Sequence, residues 1–205
     1  EDGSSFWELA AWVDSNGPHR AADHQAYEEN KDALNAYYAW SRANSYWPPK
    51  DGSVEDVTEK IESAIGVLTE ILANRSFPNN TEWIEKGKAF AEQLKKDEER
   101  CLIENGPVRI FAGDVFCSAF YRNPDGVVAK ATVVYNTKNG AISLAFADGG
   151  KEYSAAKILQ ELFGSEAGGH AGIAGSPRGQ RMSWDNLVDV VARAKYIVLG
   201  GHHRL

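Results

Sequence analysis

VVAKATVVYNTKNGAISLAF, residues 127–146, carries the strongest fold signal in the chain. Two β-rich runs, Val127–Tyr135 and Ala141–Phe146, flank Asn136-Thr137-Lys138-Asn139-Gly140, and Asn139-Gly140 supplies the positive φ of a hairpin turn. The segment therefore reads as two antiparallel strands. Upstream, Val108–Ala112 and Val115–Tyr121 are further short β-rich runs separated by Gly113-Asp114, and Asn123-Pro124-Asp125-Gly126 makes a turn. Four consecutive strands predict one sheet. Downstream come a helix from about Ser154 to Phe163, a glycine-rich loop, a helix from Ser183 to Ala194 and a last strand, Tyr196–Leu199. Strands, then helices, then a strand predict an α+β domain with mixed pairing over residues 106–205.

Before Gly106 the apolar spacing is helical. A short helix, Phe6 to Val13, ends before the turn signal Ser15-Asn16-Gly17-Pro18. Asp23 to Tyr46 reads as a second helix, with Tyr27, Leu34 and Tyr38 in register and Pro48-Pro49 closing it. Val54, Val57, Ile61, Ile65, Leu68 and Leu72 fall on one face of a third, with Ser53 as its cap. A fourth runs from about Thr81 through Trp83, Phe90 and Leu94 towards Cys101, and its charges between Lys86 and Arg100 form a solvated face. The fold class expected is α+β, a helical N-terminal half followed by a mixed sheet with flanking helices.

A chain of 205 residues buries a core without disulfides, and 25% charged residues suit a globular protein. No apolar run approaches the roughly 18 residues of a membrane helix, so no membrane partner is expected. Cys101 and Cys117 lack metal-ligand spacing and read as buried, reduced thiols, which points to the cytoplasm and takes the weight from the sequons at Asn74 and Asn79. The chain opens with Glu1 and holds a single methionine, Met182, so it reads as a fragment whose beginning is missing. The net charge of −7 divides unevenly: −10 over residues 1–105 and +3 over residues 106–205. The second half can therefore offer local phosphate contacts, although it lacks the basic stripe of a duplex binder.

GSEAGGHAGIAGSPRG, residues 164–179, is the most unusual stretch. Glycine at this density costs chain entropy unless something must approach the backbone closely, and an anion cradled by amide N–H groups is one such thing. His170 adds a ring donor, and Arg178 and Arg181 add guanidinium groups suited to phosphate. Gly168, Gly169, His170, Arg178 and Arg181 are therefore the candidate substrate-binding residues. The other reading is an irregular loop with His170 satisfied inside it; residue types alone leave both open, since this is neither a Walker nor a Rossmann fingerprint.

Gly168-Gly169-His170 followed by Ala174-Gly175, in the order strands, helix, loop, strand, helix, strand, resembles the C-terminal DHH-associated domain of the DHH phosphoesterase family over roughly residues 107–200. The chain departs from that pattern at Ala167, where a third glycine is common, and at Ile173, where alanine is. The resemblance implies that the loop holds a substrate phosphate or terminal nucleotide against a two-metal centre in a preceding domain. It further implies that residues 1–105 are the tail of that catalytic domain plus a connector. Leu9-Ala10-Ala11-Trp12-Val13-Asp14 looks like the family's last metal-site motif, making Asp14 the candidate metal ligand, of the oxygen type that hard divalent cations take. The other reading has Asp14 capping the Ser15-Asn16-Gly17 turn. Asp23-His24 echoes the family motif, but Gln25 follows it and it lies after Asp14, so it reads as a helix start. The family's earlier aspartate and histidine motifs are absent, so the chain alone is expected to be catalytically silent and to hold no metal. Manganese or magnesium is expected in an intact parent acting on nucleotides or short oligonucleotides.

Tyr37, Tyr38, Trp40, Tyr46 and Trp47 cluster on one helix and read as packing, here against the absent catalytic domain, over base stacking. His202 and His203 read as without role. Two rival functions stay in view: a non-catalytic nucleic-acid-binding module, and an interaction module whose aromatic patch docks a partner or a second copy as a homodimer.

Overall fold

The computed structural model describes residues 5–45, 53–74, 77 and 81–200. Glu1, Tyr46, Trp47, Pro48-Pro49, Asn79, His202 and His203, all named above, lie outside the described residues. The chain forms two compact units, Glu1–Ser15 with Arg20–Leu94, and Asn16–His19 with Lys95–Leu205. The fold is α+β, with a helical N-terminal half followed by a six-stranded mixed sheet and its helices.

The first unit is built from α1 (Ser5–Asn16), α2 (Tyr27–Ala43), α3 (Thr58–Asn74) and most of α4 (Thr81–Cys101). Phe6, Leu9 and Val13, three and four residues apart, share one face of α1 and are buried. Asn30 is buried on α2 because its amide donates to Ser5 Oγ and to the Ala26 carbonyl, each at 3.0 Å. Gly87 sets the crossing of α4 over α2, since a Cβ there would lie 2.5 Å from the Ala36 amide nitrogen.

Two helix assignments shift in this unit. Asp23-His24 does not start a helix: Asp23 ends a 3₁₀ turn, Pro18–Asp23, and pairs with Arg20, while His24 Nδ1 accepts the Ala26 amide just before α2 begins. Helix α3 starts at Thr58 rather than Ser53, because the Asp56 carboxylate takes the Thr58 amide at 2.9 Å in a local turn. That same hydrogen bond holds the Asp56 carboxyl below its ordinary pKa. The inward face of α3 also differs from the expected one. Ile61, Ile65 and Leu72 are exposed, whereas Ile71 and Val67 pack inward against Phe6 and Ala36. A helix with two apolar stripes gives periodicity no means of choosing between them.

In the second unit the strands are β1 (Leu102–Glu104), β2 (Val108–Ala112), β3 (Ala131–Tyr135), β4 (Ile142–Phe146), β5 (Gly168–Gly169) and β6 (Ile173–Gly175). They lie in the order β1-β2-β3-β4-β6-β5. Strand β2 runs parallel to β3, with Val108 opposite Ala131, and the other neighbours are antiparallel. The β3–β4 hairpin forms as predicted: Gly140 takes φ 73° and the Asn136 amide donates to the Ala141 carbonyl at 2.8 Å. Helices α5 (Ala155–Phe163) and α6 (Trp184–Val198) pack Ile158, Leu159, Leu187 and Val190 against Val133, Ile142 and Leu144. Ser154 caps α5 by accepting the Lys157 amide, and Ser183 with Asn186 caps α6 reciprocally.

The differences here have local causes. Tyr196–Leu199 is not a strand; α6 continues through Val198 because Ile197 extends the buried spacing of Leu187, Val190 and Ala194. Val115–Tyr121 is not a strand either. It belongs to the long connection that a parallel β2–β3 pair requires, with a 3₁₀ turn at Cys117–Ala119 held by Thr132 Oγ1 donating to the Cys117 carbonyl at 2.8 Å. Strand β3 begins at Ala131 rather than Val127, and β1 follows directly on α4.

Cys101 and Cys117 are both free thiols and buried. Burial pushes the Cys117 thiol up from 9.0 to about 11. The folded chain thus keeps this proton where the unfolded chain gives it up, so the stabilisation is complete below pH 9 and is lost as pH rises to about 11. Urea midpoints compared at about pH 8 and pH 10.5 should fall further for the wild type than for Cys117→Ala.

Candidate functional site

The glycine stretch is a regular hairpin. Gly168 lies opposite Gly175 and Gly169 opposite Ala174, and β6 joins the sheet through β4. The turn is His170-Ala171-Gly172-Ile173. The His170 amide donates to the Ile173 carbonyl at 2.7 Å, and the Ile173 amide to the His170 carbonyl at 3.3 Å. His170 is exposed at the first position of the turn.

Both carbonyls at the tip are drawn inward. Ala171 accepts from the amide of Ala155, the first residue of α5, and Gly172 accepts from Phe146, each at 2.8 Å. The amides of Ala156, Ala171 and Gly172 donate to no described group. The turn and the N-terminus of α5 therefore meet with unspent N–H donors around them, an arrangement that attracts anions. Gly150, at φ 81°, lies directly against this tip, and a Cβ there would collide with the Ala171 backbone.

The two departures from the family pattern leave the pairing intact. Ala167 packs in the core and its carbonyl accepts from Gln160 Nε2 at 3.2 Å, while Ile173 lies opposite Ala145 on β4, part-exposed. Arg178 and Arg181 are exposed beyond the other end of β6, past Gly175, whereas His170 precedes Ile173. Arg181 donates to the Thr137 and Lys138 carbonyls, both at 3.3 Å, and so clasps the β3–β4 hairpin. At that same end Trp184, half exposed, stacks on the buried Tyr135 with ring centroids 4.7 Å apart. Trp184 was absent from the sequence-based candidates, although an indole directly after the cap Ser183 is a readable signal.

Asp14 is on the first unit. It lies within α1, which runs to Asn16, so it does not cap the Ser15-Asn16-Gly17 turn. It lines a cavity of about 200 Å³ together with Phe6, Trp7, Tyr37, Tyr38 and Leu68. The Tyr38 phenol oxygen is buried with no hydrogen-bond partner among the described residues, and burial pushes this group up to about 12. Among the described residues no three His, Cys, Asp or Glu side chains gather to hold a metal. One carboxylate among aromatic rings does not fit the multi-oxygen shell that manganese or magnesium requires.

No described helix is long and apolar enough to cross a membrane. No family model matches the chain, and no curated protein does. Among solved structures it is similar to a pGpG-specific phosphodiesterase, PggH, from Vibrio cholerae, at 8% identity and TM-score 0.41 over 69% of this chain and 51% of that one. It is also similar to an uncharacterized protein from Helicobacter pylori G27, at 16% identity and TM-score 0.31 over 97% of this chain and 51% of that one. The chain thus spans about half the length of each.

Proposed function

We propose that this chain is the substrate-binding part of a metal-dependent phosphoesterase of the DHH family, gripping the phosphate of a nucleotide or short oligonucleotide at the His170-Ala171-Gly172 turn. The observation that supports this most is the junction of that turn with the start of α5, where the amides of Ala156, Ala171 and Gly172 stay unspent beside the exposed His170 ring. A phosphate oxygen accepts from such donors in charge-assisted bonds, each stronger than a neutral one. The donors are mostly backbone, so the grip is indifferent to the base and fixes the phosphate alone. In this reading residues 1–105 are catalytic-domain tail and connector. The metal ions, manganese or magnesium, belong to the rest of the enzyme, where they activate water for attack on the phosphoester. The task of this chain is to hold and orient the substrate.

Calorimetric titration with a 5′-phosphorylated dinucleotide and with a nucleoside monophosphate, with and without manganese, tests the reading. Binding should be independent of the metal, and His170→Ala should weaken it about tenfold, the loss of one charge-assisted bond, with the circular dichroism spectrum unchanged. Equal affinities for the two proteins overturn the proposal. The rival, a nucleic-acid-binding module without chemistry, draws on the half-exposed Trp184, backed by the buried Tyr135 beyond the end of β6 where Arg181 clasps the hairpin, a platform for stacking one base. It predicts affinity that climbs with oligonucleotide length and falls steeply with salt.

A further inference from the structure

We propose that the first unit carries a binding site for a small organic cation, a quaternary or methylated ammonium group, in the cavity lined by Trp7, Tyr37, Tyr38 and Asp14. This site is separate from the phosphate grip and does not rest on it.

The cavity holds about 200 Å³. An apolar cavity of about 150 Å³ accommodates benzene, so this volume takes a trimethylammonium head with a short stem. Four aromatic side chains contribute to its lining, and they meet one another at an incline: Tyr37 and Tyr38 at 52° with centroids 6.1 Å apart, and Phe6 and Trp7 at 71° and 5.7 Å. Ring faces are negative and attract a cation lying over them, most strongly where water is excluded. Among the described residues, the one charged side chain in the lining is the Asp14 carboxylate, and no lysine, arginine or histidine joins it. The Tyr38 phenol oxygen, without a partner among the described residues, adds a partial negative charge, and a choline hydroxyl can donate to it.

The other ligand classes fit this lining less well. An anion meets the Asp14 carboxylate. A hard divalent ion finds a single carboxylate where it needs several oxygens. A neutral apolar molecule gains the burial but draws nothing from the Asp14 carboxylate. An alkylated ammonium satisfies the rings and the carboxylate together, because its charge is spread over methyl groups that tolerate an apolar wall.

The experiment is a tryptophan-fluorescence titration of the chain with choline and with 3,3-dimethylbutan-1-ol, which has the same shape without the charge. Choline should bind saturably, and the alcohol about tenfold more weakly. Asp14 is exposed, so Asp14→Asn should leave the circular dichroism spectrum unchanged; it should weaken choline about tenfold and leave the alcohol unaffected. Equal binding of the two probes, absence of saturable choline binding by the folded chain, or displacement of choline by micromolar manganese each overturns the proposal. No nucleotide enters the measurement, so its failure is separable from failure of the phosphate grip.

Discussion

Arg109→Met should destabilise the second unit by about 3–5 kcal/mol, read as a lower urea midpoint with an unchanged slope. Arg109 stands in the middle of β2 and is 1% exposed. Its guanidinium donates to Glu98 at 2.6 Å, to Asn105 Oδ1 at 2.9 Å, and to the carbonyls of Phe120 at 2.7 Å and Arg122 at 3.2 Å. One side chain thus ties the end of α4 and the β2–β3 connection to the sheet. Methionine fills much of the volume but leaves Glu98 charged, mostly buried and alone, with two carbonyls unserved. Glu98→Leu added to Arg109→Met should recover part of the loss by removing the stranded charge. A single-variant loss below about 1 kcal/mol would contradict the burial of this pair. The glycine hairpin lies at the far side of β3 and β4, so dinucleotide affinity of the folded fraction should be preserved.

The second large effect is expected at a residue that touches no ligand. Gly150→Ala should cost about 2–4 kcal/mol of stability and reduce phosphate affinity more than His170→Ala does. At φ 81° an alanine is strained, and its Cβ would press on backbone atoms of Ala171, which cannot swing aside as a side-chain tip can. Relief requires the turn to move, and that displaces the Ala171 and Gly172 amides together, whereas His170→Ala removes one donor. Thermal unfolding and the calorimetric titration measure the two losses separately. Unchanged dinucleotide affinity in a folded Gly150→Ala protein would show that phosphate is held somewhere else.

Neither residue was legible in the sequence, although much of the fold around them was. The β3–β4 hairpin was readable because Asn139-Gly140 is a local signal acting over two residues. The helix starts near Ser154 and Ser183 were readable as well, where the structure places caps, and the α+β class followed from the change of period near Gly106. What stayed hidden depends on partners distant in the chain. Val115–Tyr121 has strand propensity, yet parallel pairing of β2 with β3 turns it into a connection. The choice between the two stripes of α3 rests on Phe6 and Ala36. At the candidate site, the density of glycine singled out the loop, but not which groups it frees. Amides of Ala156, Ala171 and Gly172 leave no side-chain signature, and the need for Gly150 appears only when two separate loops are seen to touch. Arg178 and Arg181 were grouped with His170 by sequence distance, and β6 sets them beyond its opposite end.

The outermost strand of the sheet is the dipeptide Gly168-Gly169, and the strand at the other margin, β1, has three residues interrupted by a shift of register. An open sheet edge templates a foreign strand when it offers a long, flat row of unpaired peptide groups, and typical strands are about 5–6 residues. Neither margin here offers that. The β5 edge turns away after two residues, and at β1 Glu104 is engaged by Lys195 at 2.6 Å, which places charge along the border. Fibrillar growth by adding chains to the native sheet is thereby disfavoured at both margins. The brevity that sets the His170-Ala171-Gly172 turn at the rim of the sheet also works against the folded form seeding its own aggregation.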